Sequence, residues 1–354
     1  MASTLEITDF GAVDIQDPFF GSLKAQYGEF TDWFARKAAS AEPVYVVRRA
    51  GANGGLRGFI YLKIEEGALD DVEPPRPAAR RLKVGTLKID AHGTKLGERV
   101  IKKIFDHAVR ENVEEIYVTV FDTHAKLISL FERYGFEEVA SKNTPNGVEK
   151  VLVREMDASR DDALLDYPFI HMDGRRYWLL AIYPDYHSNL FPDSILTTET
   201  ADILQDVSHT NTIHKVYVAK KALTAMRPGD VVVVYRTTDI PGRARFRSVA
   251  TSLCVVEEVR AKKDFASANE LVRFAADHSV FDEDELRDWH SSGDRLYAVR
   301  MTYNVALPKR PNRDALLEDV GITEQPRWDL RRLTRQQFNR IVDLGQVNEA
   351  LIVD

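Results

Sequence analysis

The chain has 354 residues, 44% of them apolar and 29% charged, with a formal net charge of −7. That length suggests about two domains, and the mixture excludes collagen-like, low-complexity and wholly disordered chains. No apolar run approaches the roughly 18 residues of a membrane span, and the single cysteine, Cys254, excludes an intrachain disulfide and a cysteine-rich zinc site.

The opening stretch, MASTLEITDFGAVDIQD, carries acidic residues and no apolar leader segment, so no secretory signal is expected. The expectation is a cytoplasmic protein with no membrane partner and no metal. Neither half is basic overall, so nucleic-acid binding must rest on local patches. Residues 201–250 and 331–340 each sum to +4 and are the places to look.

Residues 17–39 set Phe19, Phe20, Leu23, Tyr27, Phe30, Trp33 and Phe34 at three- and four-residue steps, one helical face broken near Gly28. PVYVVRRA (43–50) and LRGFIYLKIEEG (56–67) predict strands around a glycine-rich turn. Three prolines make 70–80 a surface loop, and RLKVGTLKIDA (81–91) alternates imperfectly, as a strand. Leu96, Val100, Ile101, Ile104, Phe105 and Ala108 mark a helix from about Lys95 to Asn112. Ile116, Val118 and Val120 alternate strictly, a strand signal. A shorter helix follows over 124–134, with Gly135 placed to end it, and then a strand pair around the turn NTPNG. The polar stretch 156–167, with four Asp, predicts a linker at 159–166 between domains 1–158 and 167–354.

Beyond it, strands are expected at 177–183, 213–219, 223–236, 247–260 and 295–308. Helices are expected around 193–206, at 268–279 and 282–292, and at 332–345 with a Thr334 N-cap and a Gly345 stop. This is a small β-barrel-like core with helices around it. The fold class is therefore α/β in the broad sense, more narrowly α+β.

The segment LKIDAHGTKLGERVIKKIF (87–105) runs from a strand through a glycine-bearing turn into an amphipathic helix. Such a turn can aim several backbone N–H groups at one anion, and the helix dipole adds to the attraction. A pyrophosphate suits such a site. A plain strand–helix connection gives the same local pattern.

Residues ~15–156 resemble the GNAT superfamily of acetyl-coenzyme A dependent N-acetyltransferases. That family's loop reads R/Q-x-x-G-x-G/A. Here His92-Gly93-Thr94-Lys95-Leu96-Gly97 aligns with it, Gly93 and Gly97 matching, His92 replacing the Arg or Gln and Lys95 the middle Gly. The family's N-x-x-A-x-x-L-Y-x-x-x-G-F aligns with 124–136, where Leu130, Gly135 and Phe136 match. His124 stands for the Asn, and Phe131 for a Tyr that serves as general acid. Tyr134, three residues on, is the candidate substitute.

The resemblance implies acetyl-coenzyme A as cofactor. Leu87, Lys88 and Ile89 would hydrogen-bond its pantetheine arm through backbone groups. His92, Gly93, Thr94, Lys95, Leu96 and Gly97 would hold the pyrophosphate, and His124, Leu127 and Phe131 would line the other side. The chemistry implied is direct transfer, in which an amine loses its proton and attacks the thioester. The catalytic candidates are Tyr134, Glu65 and Asp90, with Glu66 and Asp122 as further carboxylates. A solvated surface carboxylate is the plain reading of each. His92 and His124 titrate nearest neutrality. Cys254, in SLCVV, reads as a buried inert thiol.

RRYWLLAIYPDYHSNLFPDSIL (175–196) and RPGDVVVVYR (227–236) resemble the opening and the G-D-x-V-x-x-Y-R strand of EVE domains. These belong to the PUA-like group with ASCH and YTH domains. The G-x-K-x-x-E-x-R signature of ASCH is not visible. The group implies binding of RNA or a modified base between aromatic walls, for which Trp178, Tyr183, Tyr186, Trp289 and Trp328 are candidates. Arg236, Arg243, Arg245 and Arg247 form a basic hairpin with an interleaved Phe, joined by Lys215, Lys220 and Lys221. With Trp178 they are the candidate nucleic-acid contacts.

The two resemblances together imply an acetyltransferase whose acceptor is presented by the second domain on RNA, as an aminoacyl-tRNA amine or a base amine. GNAT toxins of bacterial toxin–antitoxin systems are similar, which implies an antitoxin protein as a partner. One alternative is a protein or small-molecule amine as acceptor. Another is a non-catalytic RNA or modified-nucleotide binding protein, motivated by the departures at His92, Lys95 and Phe131. The oligomeric state is not legible.

Overall fold

The computed structural model describes residues 3–49, 55–90, 95–191, 212–293 and 295–354, and its class is α+β, as expected. The chain divides into two compact units, Met1–Asp157 and Ala158–Asp354. No helix among the described residues is long and apolar enough to cross a membrane.

Unit 1 is a seven-stranded sheet in the order β1-β2-β3-β4-β5-β7-β6. Its strands are β1 (Ser3–Asp9), β2 (Pro43–Arg49), β3 (Leu56–Leu69), β4 (Arg76–Ile89), β5 (Glu115–Val120), β6 (Glu137–Thr144) and β7 (Gly147–Glu155). The expected helix over 17–39 is two helices, α1 (Gly21–Gln26) and α2 (Phe30–Ala39), parted near Gly28 as the pattern implied. Their aromatic face is buried: Phe10 meets Trp33, Phe34, Phe59 and Tyr61 edge-on. α3 (Leu96–Arg110) joins β4 to β5, and α4 (Ala125–Glu132) follows β5. Gly135 takes φ +80° just past α4, a left-handed turn that favours glycine.

Two strand readings need correction. β1 was not expected. The expected loop 70–80 ends at Arg76, where β4 already begins. Pro77 is tolerated there because it falls where the register against β3 shifts, between the Leu69–Arg76 and Gly67–Ala79 pairs, and before β5 begins to pair at Arg81.

Unit 2 holds a six-stranded sheet in the order β10-β13-β12-β11-β9-β14 and a two-stranded one, β15-β8. The strands are β8 (Ile170–His171), β9 (Tyr177–Ile182), β10 (His214–Ala219), β11 (Val231–Arg236), β12 (Val249–Ala261), β13 (Tyr297–Ala306), β14 (Leu330–Leu333) and β15 (Ile352–Val353). No ladder closes the large sheet into a barrel among the described residues. β9 and β11 run parallel, with β9 between β11 and the edge strand β14. Tyr177, Leu179, Val231 and Val233 bury on one face; Trp178, Leu180, Val232 and Val234 bury on the other. Two buried faces explain the uninterrupted apolar runs in the sequence.

The helices around the sheet are α5 (Pro184–Leu190), α6 (Ala244–Arg247), α7 (Ala268–Ala275), α8 (Glu283–Ser291), α9 (Arg313–Glu318) and α10 (Arg335–Gly345). Thr334 caps α10, its hydroxyl accepting from the Gln337 N–H in a capping box. Gly345 is the last helical residue, not the stop. Gln346 takes the left-handed cap at φ 54°, and Gly345 is small because a Cβ there would lie 2.8 Å from Leu307. The helix expected around 193–206 lies outside the described residues.

Candidate active site

The cleft of unit 1 begins where two parallel strands part. β4 and β5 pair only over residues 81–84 and 115–118. Two arginines clamp the paired end. Arg81 Nε donates to Glu115 Oε2 at 2.8 Å and Arg76 Nη2 to Glu115 Oε1 at 2.9 Å. Burial of Glu115 raises its pKa, but Arg76 and Arg81 outweigh this and hold it below the usual carboxylate range.

At Gly85 the register against β3 slips: Tyr61 faces Thr86 while Leu62 faces Val84. Gly85 is the extra residue of a bulge, and bulges turn a strand. Past it, residues 86–89 still pair with β3, but no strand pairs with them on the β5 side among the described residues. A cleft of about 820 Å³ opens in this gap.

Leu87, Lys88, Ile89, His124 and Leu127 all line the cleft, the first three from β4 and the others at the start of α4. Lys88 Nζ donates to the Phe19 carbonyl and, at 2.5 Å, to Ser22 Oγ. Burial lowers its pKa. His124 meets Gln26 Nε2 through its Nε2 at 3.1 Å. Lys95 stands at the N-cap of α3, which has no side-chain cap bond. His92, Gly93 and Thr94, the heart of the expected pyrophosphate loop, lie outside the described residues.

Other expected residues do not line the cleft. Leu96 is buried, and Gly97 faces α4, where a Cβ would lie 3.0 Å from Leu130 Cδ2. Its smallness therefore serves helix packing. Phe131 is fully buried against Phe136, with ring centroids 4.8 Å apart. Tyr134, the expected acid, is also fully buried and away from the cleft lining. It lies in the turn beyond α4, where helical spacing no longer carries it to the Phe131 face. Asp90 directly follows β4, its backbone held by Arg57 at 2.7 and 3.1 Å, outside the lining. Glu66 pairs with Arg80, and Asp122 is exposed; neither lines the cleft.

Glu65, the expected base, stands behind Lys83 and accepts from the Tyr117 hydroxyl. Burial raises its pKa, but Tyr117, Lys83 and Lys63 outweigh this and hold it low, which makes it a weak base.

Another part of the cleft carries no sequence motif. Tyr27, Glu29, Phe30 and Trp33 line it from the α1–α2 region, and Lys142, Asn146 and Glu149 from the β6–β7 hairpin. The Tyr27 hydroxyl donates to Glu149 Oε1 at 3.1 Å. Burial, Glu149 and Glu29 raise the Tyr27 pKa, so the phenol stays protonated. Only pairing across 122 residues of chain brings Tyr27 and Glu149 together, and no local pattern announces that.

In unit 2 the expected nucleic-acid contacts separate. Trp178 is buried, donates to Asp230 Oδ2 at 2.7 Å and lies beside Arg176 and Arg332, so it is not a free stacking wall. Lys215 is fully buried beside Phe191 and Tyr303, and Arg236 is buried too. Trp328 is buried between Arg313 and Arg331. The basic segment carries the short helix α6, not a hairpin. There Arg243 and Arg247 are exposed, Phe246 is 67% exposed, and Arg245 pairs with Asp314 and Glu318. Tyr183, Tyr186, Phe281, Trp289, Lys220 and Lys221 line a groove of about 250 Å³. Cys254 is fully buried and burial raises its thiol pKa, so it is inert.

No family model matches the chain, and no curated protein matches it. Parts of it are similar to solved structures. ASCH from Zymomonas mobilis aligns at 13% identity, over 48% of this chain and 94% of that one, with a TM-score of 0.32. Arabidopsis thaliana Naa50, in complex with the bisubstrate analogue CoA-Ac-MVNAL, aligns at 17% identity over 44% of this chain and 99% of that one, with a TM-score of 0.29. AtaTR bound with AcCoA aligns at 18% identity over 43% and 92%, with a TM-score of 0.31. Likeness at this level says nothing of what this chain does.

Proposed function

We propose that unit 1 binds acetyl-coenzyme A and transfers its acetyl group to an amine. The observation that carries this reading is the parting of β4 from β5 at Gly85, which leaves the 86–89 edge open beside a cleft. A free strand edge offers alternating N–H and C=O groups, which suit a pantetheine arm built of amides. The start of α3, where Lys95 makes no side-chain cap bond, and the cleft-lining Lys88 and Lys126 suit its phosphates. The residues present thus fit the cofactor. When bound it supplies a thioester carbonyl ready for acyl transfer. The chain's own part is to hold that arm along 86–89 and to set the amine at the α1–α2 end.

Thiol release from acetyl-coenzyme A by the full chain, read with a thiol-reactive dye across a panel of primary amines, tests this. Amine-dependent release with a matching acetylated product is expected. A folded protein that releases no thiol with any amine would overturn the reading.

A second reading concerns unit 2, which we read as a surface for RNA that presents the acceptor. Exposed Arg243, Phe246 and Arg247, with the aromatic groove of Tyr183, Tyr186 and Trp289, support it. Arg243→Ala with Arg247→Ala should weaken binding of single-stranded RNA and flatten its log–log salt slope by about 1.4, for two phosphates. Arg245→Ala should do little, because Asp314 and Glu318 already hold that side chain. An unchanged salt slope in the double variant sinks the reading.

A further inference from the structure

We propose that the α1–α2 end of the unit 1 cleft is a subsite for a protonated primary amine on an apolar or aromatic stem, with Glu149 and Glu29 as its counter-charges. This deepens the acetyltransferase reading and rests on it.

Glu149 lies on β7, lines the cleft and is only 5% exposed. Its side chain has one hydrogen-bond partner among the described residues, the neutral hydroxyl of Tyr27. A buried carboxyl group with one neutral donor as its partner is under-compensated, and a cation in the cleft would offset that cost. Glu29 lines the same end and accepts from Asn146 Nδ2 at 3.0 and 3.1 Å, again a neutral donor.

The lysines nearby do not answer these charges. Lys83 Nζ sits 3.6 Å from Glu65 Oε1, and Lys142 pairs with Asp71. Each cation at this end thus has a carboxylate of its own, outside the lining, while the two lining carboxylates have none. The remaining lysines of the lining, Lys88 and Lys126, come from β4 and α4. Lys88 Nζ is taken up by the Phe19 carbonyl and Ser22 Oγ, and Lys126 forms no ion pair with Glu149 or Glu29 among the described residues, so the two carboxylates remain placed to meet an ammonium group.

The walls fix the rest of the ligand. Tyr27, Phe30 and Trp33 line the same end. Tyrosine and tryptophan faces attract cations, and all three rings bury an apolar stem. A neutral alcohol of the same shape would bury the stem and leave Glu149 unanswered.

Calorimetric titration of the full chain with 2-phenylethylammonium and hexylammonium, with 2-phenylethanol as the neutral match, tests this, without and with coenzyme A. The ammonium ions should bind at least about tenfold more tightly than the alcohol, the value of one charge-assisted contact. Glu149→Gln should remove about that factor and Glu29→Gln, at an exposed carboxylate, a smaller one of about two- to fivefold, and both should leave coenzyme A affinity unchanged. Glu29 is exposed, so its variant remains readable should the buried Glu149→Gln fail to fold. Equal affinity for alcohol and ammonium would overturn the subsite. Unchanged ammonium affinity in the folded variants, or no ammonium binding by the wild-type chain, would do the same. Ammonium binding that persists in a chain unable to bind coenzyme A would uphold the subsite and overturn the acetyltransferase reading alone.

Discussion

Gly85→Val is expected to lower coenzyme A affinity at least about 100-fold, which is roughly 2.7 kcal/mol. A Cβ at Gly85 would lie 2.8 Å from Tyr61 Cδ1 and 3.2 Å from Cε1. The ring is poorly placed to yield. It is buried, its hydroxyl donates to Glu42, and it packs against Phe10, Trp33 and Lys37. The strand must move instead, and the bulge that parts β4 from β5 is what gives way. Overpacking of this kind also costs about 1–3 kcal/mol of stability. Gly21→Ala is the matched control, since a Cβ there meets nothing within 4 Å. Calorimetry on both variants checks the expectation. Wild-type affinity in a folded Gly85→Val protein would mean that the bulge does not shape the cleft.

Asp230→Ala is expected to destabilise unit 2 by about 3–5 kcal/mol, the cost of removing one partner of a buried ion pair. Asp230 is 4% exposed and accepts four hydrogen bonds. Two come from Arg176, at 2.9 and 2.7 Å, one from Trp178 Nε1 at 2.7 Å, and one from the Arg227 N–H at 2.9 Å. The carboxylate thus ties the turn before β11 to β9. Alanine leaves the Trp178 N–H buried and unpaired. The low end of the range is expected, because the Arg176 side chain keeps 22% exposure and can turn to water. In a unit of this size about 3 kcal/mol is a fall of roughly 6–12 °C in Tm. Asp230→Asn keeps an acceptor and should fall between. A loss below about 1 kcal/mol on thermal unfolding would show that the cluster is not structural.

Residues 227–236 were legible as a turn feeding a buried strand, yet the pairing of Asp230 with Trp178 was not. The contrast holds across the chain. Local signals gave the break near Gly28, the strict alternation of β5 and the Thr334 cap, because each rests on neighbours within a turn or two. Gly85 did leave a trace, in the imperfect alternation of 81–91, but a bulge is defined only against a partner strand. Tyr134 misled because a spacing of three places residues on one face only while the helix continues, and α4 ends at Glu132. Lys215 and Arg236 misled because charge in a sequence window says nothing of burial. Glu149 and Tyr27 were missed for the opposite reason, since each is unremarkable in its own segment.

The central claim is that the open edge of β4 past Gly85 is where coenzyme A lies. Amide hydrogen exchange of the full chain, followed with and without saturating coenzyme A, tests it most directly. Slowed exchange confined to the 86–89 segment and the first turn of α3, with unit 2 unchanged, is the expected result. Binding that leaves 86–89 exchanging as before, or no binding by the folded chain, would contradict it.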